Sequence, residues 1–209
     1  MNIRRPVLYL AIACATAIIV LFVENPDRPR VDDSSLEMFL PGFDSAIVER
    51  VEVSQLLDGA ALARDGAGWK VAENVTPMKK ELYEKEGKTP PVEQWQAADS
   101  DRVSNALGGF GGLTRGVIAS TNPERRELFG VGATALSVKL FGRDGKTIAD
   151  LAIGKSGPDF GSTYIRSSDD DKVFLVNRAL VGLFSPVASD WVSAKTSAGS
   201  QDKKETPLP

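Results

Sequence analysis

An uncharged stretch near the N-terminus constrains this chain more than any other feature of its sequence. Residues 6–23 read PVLYLAIACATAIIVLFV and contain no Asp, Glu, Lys or Arg. A helix of that length rises ~27 Å at ~1.5 Å per residue, which is close to the ~30 Å hydrocarbon core of a bilayer. Helices in the core of soluble domains rarely run so far without a charge. The sequence therefore predicts one transmembrane helix at residues 6–23.

The charges around this stretch predict its orientation. The basic residues Arg4 and Arg5 precede it. The charges that follow it are mixed in sign: Glu24, Asp27, Arg28 and Arg30. Because basic flanks stay on the cytoplasmic side, we expect residues 1–23 to form a cytoplasmic tip and an anchor. Residues 24–209 are then expected on the other side of the membrane.

Two other interpretations of the stretch stay open, a cleaved signal peptide and a lipoprotein signal. A cleaved signal has a shorter apolar core and small residues at its cleavage site, whereas residues 21–23 (LFV) followed by residues 24–26 (ENP) make a poor one. A lipoprotein signal would end at Cys14. However, Ala11 stands where that signal usually has a branched residue, and the apolar run continues past the cysteine. We favour the retained anchor.

The composition excludes several classes of function. The chain contains 42% hydrophobic and 25% charged residues, as globular domains do. A net charge of −3 provides no basic face for nucleic acid. The chain has no histidine, which is the commonest general base and metal ligand, and its one cysteine, Cys14, lies in the predicted anchor. We therefore predict no disulfide, no cofactor, and no catalytic, cofactor-binding or metal-binding residue.

The rest of the chain divides by composition into a linker, one domain and a tail. Residues 24–35 are polar and contain two prolines, which predicts a linker. Residues 36–193 carry the apolar periodicity of a folded domain, interrupted at 73–97 by a charged, proline-containing excursion. That excursion is either a solvated segment or a binding loop. Residues 194–209 have no apolar period and are predicted to be disordered.

Within the domain, short alternating segments predict an α+β fold of mainly antiparallel β-hairpins, with three or four short helices packed on one face. Strands are predicted near residues 48–53, 62–65, 69–71, 116–120, 136–140, 148–153, 163–166 and 173–176. Helices are predicted after Asp99 and Asn122, where a capping residue begins an apolar pattern, and at residues 180–184. The order of the elements indicates two similar halves, near residues 44–97 and 98–192.

This order of elements resembles one known family. The matching segments are residues 39–43, 48–53, 62–66, 68–71, 99–107, 127–131, 151–155, 164–166, 173–176 and Trp191. Behind an N-terminal anchor, they resemble the bacterial membrane-anchored domain-of-unknown-function family 4340. The resemblance implies a single-pass protein of the bacterial inner (cytoplasmic) membrane, with its domain in the periplasm beside a gliding-motility-type ABC exporter. It implies no catalytic residues.

Four residue patterns could carry chemistry, and each has a plainer explanation. Residues 154–156 (Gly-Lys-Ser) resemble the end of a phosphate-binding loop. Ala149 replaces the first glycine of that loop and Pro158 forbids the helix that should follow, which favours a turn after a strand. Residues 108–112 (GGFGG) fit a helix C-cap, and residues 169–171 (three aspartates) fit a hairpin turn better than a calcium loop. A serine–lysine pair could supply a nucleophile and a base, but no such pair stands out.

These observations favour contact with other proteins over catalysis. Trp69, Trp191, Tyr164 and Phe174 could line a ligand groove, although aromatic residues on short strands more often pack in a core. We predict a membrane-anchored, non-enzymatic envelope protein, an accessory or interaction subunit of an ABC-type export or envelope assembly. Its expected partners are the membrane, through residues 6–23, and membrane or envelope proteins. A periplasmic module that binds a small ligand or glycan is the alternative, and a hydrolase with an unrecognised site is a third.

Overall fold

A computed structural model describes residues 37–193 and the backbone of Arg30 and Val31. The predicted anchor with its two alternative interpretations, most of the predicted linker, and the predicted tail at residues 194–209 lie outside these described residues. Within the part of the chain that is described, no helix combines the length and the apolar character needed to cross a bilayer.

The described strands form one antiparallel sheet of ten strands. They are β1 (Arg30–Val31), β2 (Val48–Gln55), β3 (Asp58–Asp65), β4 (Gly68–Glu73), β5 (Gln96–Ala97), β6 (Val117–Ser120), β7 (Leu136–Gly142), β8 (Thr147–Ser156), β9 (Thr163–Ser167) and β10 (Val173–Val176). Their order across the sheet is β1-β6-β10-β9-β8-β7-β2-β3-β4-β5. The α-helices are α1 (Pro77–Lys85), α2 (Ser100–Gly108) and α3 (Arg126–Phe129), and 3-10 turns lie at Ser45–Ile47, Pro123–Arg125 and Ala188–Trp191. A mainly antiparallel sheet with a few short helices is the α+β class that the sequence predicts.

Two runs of hairpins meet at the centre of this sheet. The first comprises β2, β3 and β4, and the second comprises β7, β8, β9 and β10. β2 and β7 join them, with Val51 opposite Leu140 and Val53 opposite Val138. At the outer edge β1, which falls within the predicted linker, pairs with β6. The first and second runs therefore share one continuous sheet.

One face of the sheet carries the main core. Strand alternation sends Val51, Val53, Val138 and Leu140 to this face, where none is more than 1% exposed. The buried apolar side chains of α2 pack on the same face, and the fully buried Trp191 closes the core beside them. Each large apolar side chain removed from water here stabilises the fold by ~1.5–3 kcal/mol.

A smaller core lies on the opposite face, so the prediction that the helices pack on one face is wrong. Its buried members are Ala119, Val131, Ala152 and Val173. Phe129 of α3 packs against this cluster together with Tyr164, and their ring centroids are 4.8 Å apart. α3 has only four residues. It is therefore too short for its sequence to show an apolar period and indicate which face it covers.

Two further predictions differ from the structure. Residues 180–184 form a turn and not a helix, because the Leu180 N–H donates to the Thr163 hydroxyl (2.9 Å) and Gly182 has a φ of 86°. The excursion at residues 73–97 contains the nine-residue helix α1, none of whose residues is buried. Its N-cap, Thr76, accepts a hydrogen bond from an N–H of the first turn, and a proline follows it. The capping residue and the proline specify this helix, whereas an apolar period does not.

Candidate contact surface at one end of the sheet

The two ends of the sheet differ in chemical character. The charged end comprises the turns at residues 65–68, 142–147 and 167–172, whose exposed side chains include Asp, Arg and Lys. The opposite end carries large exposed apolar side chains among charged ones such as Asp58, Lys155 and Asp159. We define the apolar end by six of them: Leu56, Leu57, Leu128, Phe160, Val181 and Val187. Grouped exposed apolar side chains on a folded domain are typical of an interaction surface.

Two residues of the apolar end hold a backbone conformation that glycine normally occupies. Leu56 has a φ of 52° and Phe160 a φ of 57°, and among the described non-glycine residues only these two have positive φ. At the charged end, hairpin turns place Gly66 and Gly145 in this conformation. A residue with a Cβ adopts it at a cost of ~1–2 kcal/mol. Since Leu56 is 49% exposed and Phe160 is 82% exposed, burial does little to offset that cost.

The two strained residues lie on hairpin turns at the same end of the sheet as a groove. Leu56 follows β2 and Phe160 follows β8, so their turns are about three strand spacings apart, or ~14 Å. The groove has a volume of about 410 Å³. Its apolar lining includes Leu136, Ile153, Val181, Phe184 and Pro186. Lys155 is the one charged residue among the lining side chains, and its Nζ donates to the Leu128 carbonyl at 3.0 Å.

Side-chain hydrogen bonds hold both turns. The Thr76 hydroxyl donates to the Leu56 carbonyl at 2.8 Å, which ties the first turn to the start of α1. In the second turn the Asp159 carboxylate accepts hydrogen bonds from the hydroxyl and the N–H of Ser162. Chiefly because of the hydroxyl, the pKa of Asp159 lies below its ordinary value. The fold therefore holds Phe160 on an ordered turn.

The glycine-containing patterns have structural roles. Residues 154–156 are the last three of β8 and not the predicted turn. A Cβ on Gly154 would overlap the Phe129 carbonyl oxygen, so the close packing of α3 on β8 requires glycine there. Gly109 is the C-cap of α2, as the sequence predicts, and Gly112 follows with a φ of 67°.

The aspartates at 169–171 make a turn between β9 and β10. Asp170 accepts a hydrogen bond from the Lys172 N–H at 2.9 Å, and Asp171 forms an ion pair with Arg126. Across the described residues, no group of three or more His, Cys, Asp or Glu side chains is placed to hold a metal ion. The hairpin interpretation of this segment is confirmed, because the turn joins the antiparallel strands β9 and β10.

The four aromatic residues singled out in the sequence do not form a groove. Trp69, Trp191 and Phe174 are buried in the main core, which confirms the core interpretation for them. Tyr164 is half-buried against the smaller core on the other face. Their separation between two faces of the sheet excludes a common aromatic site.

Trp95, in the excursion, is a further aromatic residue that the sequence does not single out. It is half-buried, and the Arg50 guanidinium and the Lys70 ammonium lie 5.7 and 5.4 Å from its ring centroid. Glu93 approaches Arg50 at 3.7 Å. Arg50 and Lys70 are outward-facing residues of β2 and β4, so strand alternation could have placed both cations on one face. Nothing in the sequence around Trp95 indicates that its ring would lie over them.

Comparison with known proteins identifies a family. The sequence pattern of a family described as "Domain of unknown function (DUF4340)" matches residues 90–198, which is more than half of the chain. The matched residues include β5 to β10. No curated protein matches the chain, and no solved structure matches it. The chain belongs to the DUF4340 family.

Proposed function

We propose that this protein is a membrane-tethered, non-enzymatic contact subunit of a bacterial envelope assembly, and that a protein partner covers its apolar end. One observation carries the proposal. Leu56 and Phe160 adopt left-handed backbone conformations and remain exposed to solvent. Glycine would relieve the strain at both positions. The apolar side chains are therefore explained by contact with another molecule and not by the stability of the isolated domain.

Binding energetics support this role for the apolar end. Burying one large apolar side chain contributes ~1.5–3 kcal/mol, and a few such residues dominate most protein interfaces. Phe160 is the most exposed residue of the apolar end, so a partner can bury the largest fraction of its side chain. A groove at the same end of the sheet can accept an apolar side chain in return. Both features are typical of the central part of an interface.

The N-terminal sequence supports the location. Residues 6–23 are long and apolar enough to anchor the chain, and the flanking charges favour a periplasmic domain at the inner membrane. A tether confines the domain near the bilayer and raises its effective concentration for other membrane proteins. The family resemblance makes an ABC-type exporter the first partner to test. A reporter that is active only outside the cytoplasm, fused after Pro209, is expected to be active, and an inactive fusion would reject this topology.

The test of the contact function is co-purification of the full-length protein with membrane proteins in mild detergent. The variant Phe160→Asp is expected to reduce the recovered partner about tenfold, since it places a charge where a central apolar contact is proposed. Ile47→Asp is the matched control, because Ile47 is 48% exposed and lies at the charged end. Equal recovery for Phe160→Asp and the unmodified protein would reject the proposal.

A second candidate function is binding of a small ligand or glycan, and Trp95 is the observation that favours it. Its half-exposed ring lies beside Arg50 and Lys70, and such a ring can stack on a sugar. Trp69 and Trp191 are buried, so collisional quenching of tryptophan fluorescence reports mainly on Trp95. Protection of this fluorescence from quenching by envelope glycan fragments would favour this candidate over the contact function.

A further inference from the structure

The direction of β1 shows from which end of the sheet the preceding chain arrives. β1 runs antiparallel to β6, with Arg30 opposite Ile118 and Val31 opposite Val117. β6 begins at Val117 on the side of the apolar end and finishes at Ser120 on the side of the charged end, opposite the first residue of β10. The chain therefore enters β1 from the side of the charged end.

The length of chain before β1 limits how the domain can sit on a membrane. Six residues, 24–29, separate the predicted anchor from Arg30. Fully extended, they span at most ~20 Å. Measured along the strands from β1, the distance to either end of the sheet is two strand residues plus a turn, or ~10 Å. The segment easily reaches a bilayer beside the charged end. To reach one beside the apolar end it would first have to reverse direction, which uses about four residues and leaves ~7 Å.

We infer that the charged end faces the bilayer and that the apolar end faces away from it, toward a protein segment that presents an apolar side chain next to a carboxylate. The inference rests on the proposed function, because it names the occupant of the same apolar end. With the bilayer on the opposite side, the surface around Phe160 is out of reach of the lipid to which the chain is tethered.

The groove specifies the chemistry of that segment. Its lining is apolar at Leu136, Ile153 and Phe184, which suits a leucine-like or phenylalanine-like side chain. Lys155 supplies a positive charge at the groove, and the Leu128 carbonyl satisfies one of its three donors. An Asp or Glu beside the inserted apolar residue would pair with the remaining donors. A second copy of this chain and a lipid surface are the competing occupants.

The orientation is tested with the full-length protein in lipid nanodiscs whose headgroups carry a nitroxide quencher. Cys14→Ser removes the one native thiol, and Ile47→Cys or Phe160→Cys introduces a single fluorophore site. We expect loss of fluorescence for the label at position 47 and none for the label at position 160. Equal loss, or greater loss at position 160, would overturn the orientation.

The occupant is tested by placing a photo-activated cross-linking residue at Phe160 in cells, with Ile47 as the control position. The expected adduct contains a peptide of a different protein, with an apolar residue adjacent to Asp or Glu, and it disappears in Lys155→Glu. Adducts to lipid, to a second copy of this chain, or no adduct at all would overturn the assignment. If Phe160→Asp abolishes co-purification while the quenching order is reversed, the proposed function survives and this inference fails. If co-purification is unaffected, the proposed function itself fails.

Discussion

Replacing Phe160 by glycine and by alanine tests whether the apolar end is held at a cost to stability. In an ordinary conformation, glycine is less stable than alanine by ~0.5–1 kcal/mol. At the φ of 57° found here, alanine retains a strain of ~1–2 kcal/mol that glycine avoids. The order should therefore reverse, with Phe160→Gly more stable than Phe160→Ala by ~1 kcal/mol. Because Phe160 is 82% exposed, little core packing is lost in either variant.

Thermal unfolding of the full-length protein, followed by the fluorescence of its buried tryptophans, measures this difference. A gap of ~1 kcal/mol shifts the midpoint by ~2–4 °C for a protein of this size. Leu56, with a φ of 52°, should show the same reversal. Leu57 is the matched control in the same turn, since its φ is not positive, and there alanine should be the more stable. If the alanine variant has an unfolding midpoint equal to or above that of the glycine variant at both strained positions, the reasoning is refuted.

Three further outcomes are expected. Trp191→Ala should lower the free energy of unfolding by ~3–5 kcal/mol, measured by urea titration, because it empties a fully buried site in the main core. Gly154→Ala should lower the unfolding midpoint, since its Cβ would overlap the Phe129 carbonyl oxygen, and an unchanged midpoint would contradict this packing. The folded pKa of Asp159 lies below its ordinary value of 3.8, so its stabilising contribution is present above pH 3.8 and lost as the pH falls through the lowered pKa. An NMR titration should show that pKa return toward 3.8 in Ser162→Ala.

The hairpins could be predicted because their signals are local. Alternation in residues 48–53 and 136–140 indicates strands, and Gly66 and Gly145 mark tight turns between neighbouring strands. Alternation does not say which strand pairs with which across a long separation. The β2–β7 pairing, and with it the single sheet of ten strands, therefore could not be derived from the sequence.

The apolar end could not be predicted for a different reason. Turn rules expect Gly, Asn or Asp where φ is positive, so Leu56 and Phe160 gave no signal of a left-handed conformation. The sequence also did not indicate that these side chains are exposed, because an apolar residue in a hairpin sequence is first interpreted as part of the core. In each case the residue departs from the local rule, and such departures are expected at functional or strained positions.

The β2–β7 pairing also determines when the two runs of hairpins can begin to join during synthesis. Val53 cannot pair until Val138 has been synthesised, about 85 residues later in the chain. At ~5–20 residues per second, that synthesis takes ~4–17 s. During that interval β2 is an open edge that other chains could pair with. Charged side chains at Glu49, Arg50 and Glu52 interrupt the valines of this strand, and charges on an edge discourage intermolecular pairing. We therefore expect these charged residues of β2 to discourage aggregation of the nascent chain while its partner strand is still being made.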